Sequence, residues 1–326
     1  MMRVEGVTAQ YRTIAGPVLA VEDVSFTILG NEIFGIAGES GCGKTTLLKV
    51  LYDTIAFPLE LPKGQVTLRV TGEDGKEAVY KTGEIRKAWW NGISYVPQAA
   101  MSVLNPVLRV SEQFYDAIRK ADPSAKKKDM RAQIIQYLKE LELPEAALDA
   151  FPHQLSGGMR QRVVIALATF VNPGLVLADE PTTALDVVVQ RGILLLLMRL
   201  QEKQKNTMVI VSHDMGVHYQ ITKRMGIMYA GNMVEMGVTD DIFDNPAHPY
   251  TEMLISALPR VGDRRLKEGI SGAPPSLRNP PPGCRFAPRC PKAMEECRAE
   301  KPAFIETRPG HFAACHLLAA MKGAER

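Results

Sequence analysis

The chain has 326 residues, and at the usual size of a domain this points to about two folded units. Hydrophobic residues make up 46% and charged residues 23%, an ordinary globular composition, and a formal net charge of +3 is too weak to call for a nucleic-acid partner. The longest apolar runs, Val163 to Val171 and Ile193 to Met198, fall short of the roughly 18 residues that span a bilayer, and the opening "MMRVEGVTAQYR" has no secretory apolar core. A cytosolic location is the expectation, and there disulfides are rare.

Residues 1 to 37 alternate short β-like pieces, "VLAVEDVSFTI" and "EIFGIAG", with turn residues, and "RVTGEDGKEAVY" reads as a turn between strands. From about 100 to 170 the pattern turns helical. "MRAQIIQYLKELEL" puts Ile134, Ile135, Leu138 and Leu141 on one stripe, and Lys126, Lys127 and Lys128 read as a solvated helix edge. "GLVLADE" and "TMVIVSHD" are continuous apolar runs ending in polar residues, the mark of buried parallel strands whose carboxyl ends carry chemistry. Between them "VVVQRGILLLLMRLQEKQ" reads as a crossover helix. "SGAPPSLRNPPPG" is a proline-rich linker that sets a cysteine-bearing tail apart.

Three motifs carry chemistry. "GESGCGKTT" fits G-x-x-x-x-G-K-[ST] with Gly38, Gly43, Lys44 and Thr45 in the fixed places, after an apolar strand and before a helix. A chain of this length matches that pattern by accident on the order of once in a hundred cases. Its glycines let backbone N–H groups converge on phosphates, Lys44 supplies positive charge, and Thr45 offers a hydroxyl to Mg²⁺. "LVLADE" ends in Asp179 and Glu180, adjacent acids that point opposite ways from a strand end: one suits a hydrated metal, the other an attacking water. "LSGGMRQRVVIALA" opens a helix at Ser156, Gly157 and Gly158, a second anion-binding terminus that suggests ATP held by another subunit.

With "GESGCGKTT", "LSGGMRQR", "LADEPTTALD" and "VSHD" in this order, the chain resembles the ATPase subunits of ATP-binding cassette (ABC) transporters over roughly residues 3 to 240. The resemblance implies an α/β P-loop NTPase fold: a RecA-like core, an antiparallel β subdomain, a helical subdomain and a small C-terminal extension. It implies an ATPase domain over 1–244, with its helical part at about 99–170, and an extension over 245–326. ATP would lie against Tyr11, Gly38, Ser40, Gly41, Cys42, Gly43, Lys44, Thr45 and Thr46. Thr45, Gln98 and Asp179 would hold Mg²⁺, Glu180 would be the general base, and His213 would contact the γ-phosphate. Ser156, Gly157, Gly158 and Asp186 would close over ATP bound by the opposing subunit. His153 is expected to support its loop, and Trp89 and Trp90 to pack.

Past residue 240, "NPAHPYTEMLISALP" and the cysteine tail resemble the oligopeptide and dipeptide importer branch. That branch implies a second ATPase subunit of a different chain, two transmembrane permease subunits, an extracytoplasmic solute-binding protein, a place on the cytoplasmic face of the membrane and no nucleic acid. Ala99 and Ala100 depart from the acid that usually follows the glutamine, which leaves oligosaccharides or metal chelates open as cargo. The rival is an ABC ATPase acting on ribosomes or nucleic acid. Cys284, Cys290, Cys297 and Cys315 form C-x₅-C-x₆-C-x₁₇-C. In a cytosolic tail they argue for metal over disulfides, and the gaps are wider than zinc's usual C-x₂₋₄-C pairs. Buried, unliganded thiols are the other reading. Peptide importers with a similar tail carry a four-iron, four-sulfur cluster, which the resemblance extends to these cysteines, with His311 and His316 as substitute ligands.

Overall fold

The computed structural model describes residues 1–71, 75–98, 103–258 and 269–318, and the side chains of Lys128 and Asp129 fall outside the description. Ala99 and Ala100, and the start of the expected helical part, lie outside the described residues. In chain order β1 (Met2–Tyr11), β2 (Val18–Ile28) and β3 (Ile33–Ala37) lead to α1 (Lys44–Leu51), β4 (Leu59–Thr71), β5 (Glu77–Lys81) and β6 (Ile93–Val96). Helices α2 (Val110–Ala121), α3 (Lys127–Glu140) and α4 (Gly157–Thr169) follow, then β7 (Leu175–Asp179), α5 (Val187–Gln204), β8 (Thr207–Ser212) and α6 (Met215–Ile221). The remaining elements are β9 (Arg224–Tyr229), β10 (Asn232–Val238), α7 (Thr239–Asp244), α8 (Pro249–Ser256), α9 (Glu295–Ala299), β11 (Ile305–Arg308) and β12 (His311–Ala313).

Two compact units share these elements. The first comprises Met1, Leu29–Glu32 and Thr67–Ile210, and the second Met2–Ile28, Ile33–Val66 and the described residues of Val211–Arg326. In the first unit β6 and β7 pair in parallel, from Ile93 opposite Leu175 to Val96 opposite Ala178, with β8 on the other side of β7. All five residues of β7 are buried, as a parallel strand covered on both faces requires. The helices α2, α3 and α4 close around Phe170, whose ring meets Phe114 and Tyr137 edge-on at 5.7 and 5.3 Å. The apolar stripe of α3 does bury Ile134, Leu138 and the following Leu141, with Ile135 half-covered. Lys126 lies just before α3, and Lys127 reaches Glu112 at 3.1 Å across to α2.

In the second unit β1 and β2 form an antiparallel pair, and a separate run of strands has the order β11-β12-β10-β9-β3. β3 and β9 are parallel, while β9, β10, β12 and β11 alternate in direction. The core of this unit stacks the rings of Tyr229, Tyr250 and Phe286, with centroids 4.6 to 5.3 Å apart, among Ile227, Val234, Ile242 and Ile255. Phe286 belongs to the cysteine tail, and half-buried Cys284 and Cys290 pack against the same core. Among the described residues no helix is long and apolar enough to cross a membrane.

Candidate functional site

The phosphate loop belongs to the second unit. Buried β3 ends at Ala37, and the chain wraps through Gly38–Gly43 into α1. Gly38 (φ +149°) and Gly43 (φ +106°) admit no side chain: a Cβ would stand 2.1 Å from the carbonyl oxygens of Met228 and Ala20 respectively. α1 carries no acid in its first turn, so its positive end is not cancelled locally. Lys44 is 5% exposed and folds back along the loop, donating from Nζ to Gly38 O at 2.7 Å and Glu39 O at 2.9 Å, with Cys42 Sγ at 3.7 Å. Burial raises the Cys42 thiol pKa, so this cysteine fills space as a neutral group. Ser40 and Gly41 are exposed at the loop's tip, and Thr45 is half-buried. Thr46 is buried, its Oγ1 3.2 Å from the Tyr11 hydroxyl, and Lys49 stands 5.9 Å from the Tyr11 ring centroid. His213 is exposed after β8, beside Asp214, whose carboxylate caps α6 by accepting from Gly216 N at 2.8 Å.

The acid pair belongs to the first unit. Asp179, the last residue of β7, is fully buried and accepts from the Tyr95 hydroxyl at 3.1 Å. Glu180 has φ +46°, a left-handed turn directly after a strand. Its Oε2 accepts from Gln98 Nε2 at 3.1 Å and from Thr183 Oγ1 at 2.8 Å. Gln98 and Glu180, 82 residues apart, therefore meet, and the glutamine and threonine orient one carboxylate oxygen. Ser156 caps α4, accepting from Met159 N at 3.3 Å, and Gly157 and Gly158 open that helix. Asp186 caps α5 through bonds from Val188 N and Val189 N at 3.1 and 2.9 Å. Both residues thus stabilise helix starts by about 1 kcal/mol each, whatever else they do. His153 stacks on Phe151 at 5.6 Å, while half-buried Trp89 and Trp90 sit under Arg86 and Lys120 at 5.9 Å each.

The four tail cysteines line one cavity of about 10 Å³, together with His316. Burial, and then the three other thiols, push Cys315 up to about 11, and burial also raises Cys284 and Cys290. Tetrahedral zinc holds its sulfurs about 3.8 Å apart, as Zn–S bonds of about 2.3 Å dictate. Among the described residues no three His, Cys, Asp or Glu side chains are grouped for a single ion. His311 is engaged elsewhere: its ring nitrogens meet Glu235 at 2.7 Å and Asp241 at 2.6 Å. His316 Nε2 meets Glu300 O at 3.0 Å. Sequence reasoning missed Arg289 and Tyr250, which both reach Glu39 in the phosphate loop. No local signal marks them, because they stand more than 200 residues from their partner.

Comparison with known proteins bears on this arrangement. The ABC transporter family profile matches residues 21–183, and a profile for the oligopeptide/dipeptide transporter C-terminal region matches residues 234–297. The dipeptide transport ATP-binding protein DppD of Caldanaerobacter subterraneus subsp. tengcongensis is 39% identical over 320 residues, covering 97% of both chains. The oligopeptide transport ATP-binding protein AppD of Bacillus subtilis is 37% identical over 314 residues, covering 95% of this chain and 94% of AppD. Among solved structures, a dimeric ATP-binding cassette in a post-hydrolysis state with ADP and Pi superposes with a TM-score of 0.62 at 30% identity, covering 73% of this chain and 99% of that one. A phosphate loop, a strand-end acid pair and two matching family profiles lead to one conclusion: the chain belongs to the ATP-hydrolysing subunits of ABC transporters, in the branch with an oligopeptide/dipeptide-type C-terminal region.

Proposed function

We propose that the chain energises an importer of oligopeptides or dipeptides. It works at the cytoplasmic face of the membrane with a second, different ATPase subunit, two permease subunits and an extracytoplasmic solute-binding protein. The near full-length likeness to DppD and AppD, named for dipeptide and oligopeptide transport, supports this reading over one on ribosomes or nucleic acid. The dimeric state of the related cassette supports the second ATPase subunit.

In this reading residues 1–244 form the ATPase domain and 245–326 its extension. Lys44 and the loop amides take the triphosphate, and Tyr11 takes the base. Asp179, Thr45 and Gln98 would hold Mg²⁺, for which their hard oxygen donors are suited. That ion, when bound, supplies charge neutralisation at the phosphates. Glu180 draws the proton from the attacking water, with Gln98 and Thr183 fixing its carboxylate, and His213 meets the γ-phosphate. Ser156, Gly157, Gly158 and Asp186 close over the partner subunit's ATP. The single observation that carries the hydrolytic reading is the oriented Glu180 carboxylate beside Gln98. Glu180→Gln is expected to retain ATP binding and lose turnover, and unchanged hydrolysis by that variant would sink the assignment.

Cys284, Cys290, Cys297 and Cys315 would hold a four-iron, four-sulfur cluster. Four soft thiol donors line one cavity, which supports a thiolate-bound centre in the tail. The cluster, when bound, supplies a covalent cross-link for the tail. Iron and sulfide near four each per anaerobically purified chain are expected; stoichiometric zinc or no metal would rule the cluster out.

A further inference from the structure

The phosphate loop is gripped from outside by the turn that carries the first two tail cysteines. Arg289, next to Cys290, forks onto the Glu39 carboxylate, with Nη1–Oε2 at 2.8 Å and Nη2–Oε1 at 2.9 Å. The Arg289 side chain is 5% exposed, and its remaining donors go to Tyr229 Oη at 3.2 Å and to the carbonyls of Ser271 and Ile270 at 3.0 Å each. The guanidinium is therefore fixed independently of Glu39, and it fixes Glu39 in turn. Glu39 is the second residue of the loop. Its N–H donates to the Tyr250 hydroxyl at 3.0 Å, and its carbonyl accepts Lys44 Nζ at 2.9 Å. Arg285, next to Cys284, binds Glu22 at 2.8 Å and the Ala230 carbonyl, and adjacent Gly231 donates from N to Cys42 O at 2.8 Å. Both arginines of one turn thus reach the loop, one directly and one through the Ala230–Gly231 corner.

We propose that Arg289 is a positioning residue for nucleotide: it holds Glu39, and through it the carbonyl that Lys44 grips, while cancelling a carboxylate charge in a loop built to receive a triphosphate. The cysteine-bearing turn thereby sets the ATP affinity of the loop. A salt bridge that served the tail's fold alone would have no reason to end on a loop residue whose own backbone anchors the phosphate-binding lysine. The coupling needs ATP binding and the turn, and holds whatever the four thiols carry.

The test is titration of the full chain with a fluorescent ATP analogue and Mg²⁺, alongside KM and kcat for ATP. Arg289→Met is expected to weaken binding about tenfold, the loss appearing in KM rather than kcat, because it strands a carboxylate beside incoming phosphates. Adding Glu39→Gln to that variant removes the stranded charge and is expected to restore affinity to within about twofold to threefold. Arg289→Lys keeps the charge but loses the fork, for a loss of about threefold, and it serves as the informative variant if the methionine form does not fold. Wild-type affinity in the folded Met or Lys variant would overturn the proposal. So would a double variant as weak as Arg289→Met, since a purely structural role for Arg289 is not rescued at Glu39.

Discussion

Replacing His311 by leucine tests the carboxylate–imidazole–carboxylate tie that anchors β12. His311 is 1% exposed, between fully buried Glu235 and Asp241, whose side chain is about a third exposed at 34%. Glu235 also accepts from the backbone of Ala247 and His248, at 2.7 and 2.9 Å, and Asp241 also pairs with Arg308 at 3.0 Å. Breaking a buried ion pair costs about 3–5 kcal/mol. The bonds left to both acids place His311→Leu at the lower end, about 3 kcal/mol. That corresponds to roughly 150-fold faster amide exchange across 232–238 and 305–313, read by mass spectrometry under conditions where local opening controls exchange. The pH dependence has a definite sign. Burial alone lowers the imidazole pKa, but the bonds to Glu235 and Asp241 outweigh it, and the net shift is upward from 6.5. The stabilisation is therefore complete below 6.5 and is lost as pH rises through the higher folded-state value. Wild-type protection, corrected for intrinsic rates, should fall over that window while the leucine variant stays level. Equal protection in both proteins, with the same pH profile, would refute the reasoning.

Gly38→Ala forces a methyl to within 2.1 Å of the Met228 carbonyl oxygen at φ +149°; backbone strain alone costs about 1–3 kcal/mol, so calorimetric titration should show ATP binding weakened by about tenfold or more. Ser156→Ala deletes the cap on Met159 N and should speed exchange in the first turn of α4 about fivefold, for about 1 kcal/mol, with Ser156→Thr largely restoring it. Phe286→Ala empties the ring cluster with Tyr229 and Tyr250 at a cost of about 3–5 kcal/mol, and should raise the rate at which Cys284 and Cys290 react with a thiol reagent.

Where burial is complete, the sequence announces it. β7 and β8 are legible because parallel strands covered on both faces must be continuously apolar, and α5 runs over Val187–Gln204, the segment its composition marks. β4 is not legible, since Pro62, Lys63 and Gly64 inside its thirteen residues imitate a turn. The residue types of the nucleotide chemistry are legible from spacing alone, because phosphate binding fixes Gly and Lys at short range. The contact of Gln98 with Glu180 joins residues 82 apart, and the fork of Arg289 on Glu39 joins residues 250 apart. Nothing local encodes such pairs, as they exist only once tertiary packing has chosen which faces meet. The same applies to His311: in the sequence it is a spare ligand beside four cysteines, and packing commits it to two acids instead.

The hairpin of β11 and β12 has a practical implication for anyone shortening the protein. The C-terminal profile match ends at residue 297, yet Glu235 and Met236 of β10 pair with Ala313 and Phe312 beyond it. A truncation placed where that profile ends would bare the hydrogen-bonding groups of a strand that carries Met233, Val234 and Met236, a template for sticking to other chains. Such a fragment should precipitate on expression although every nucleotide motif is intact.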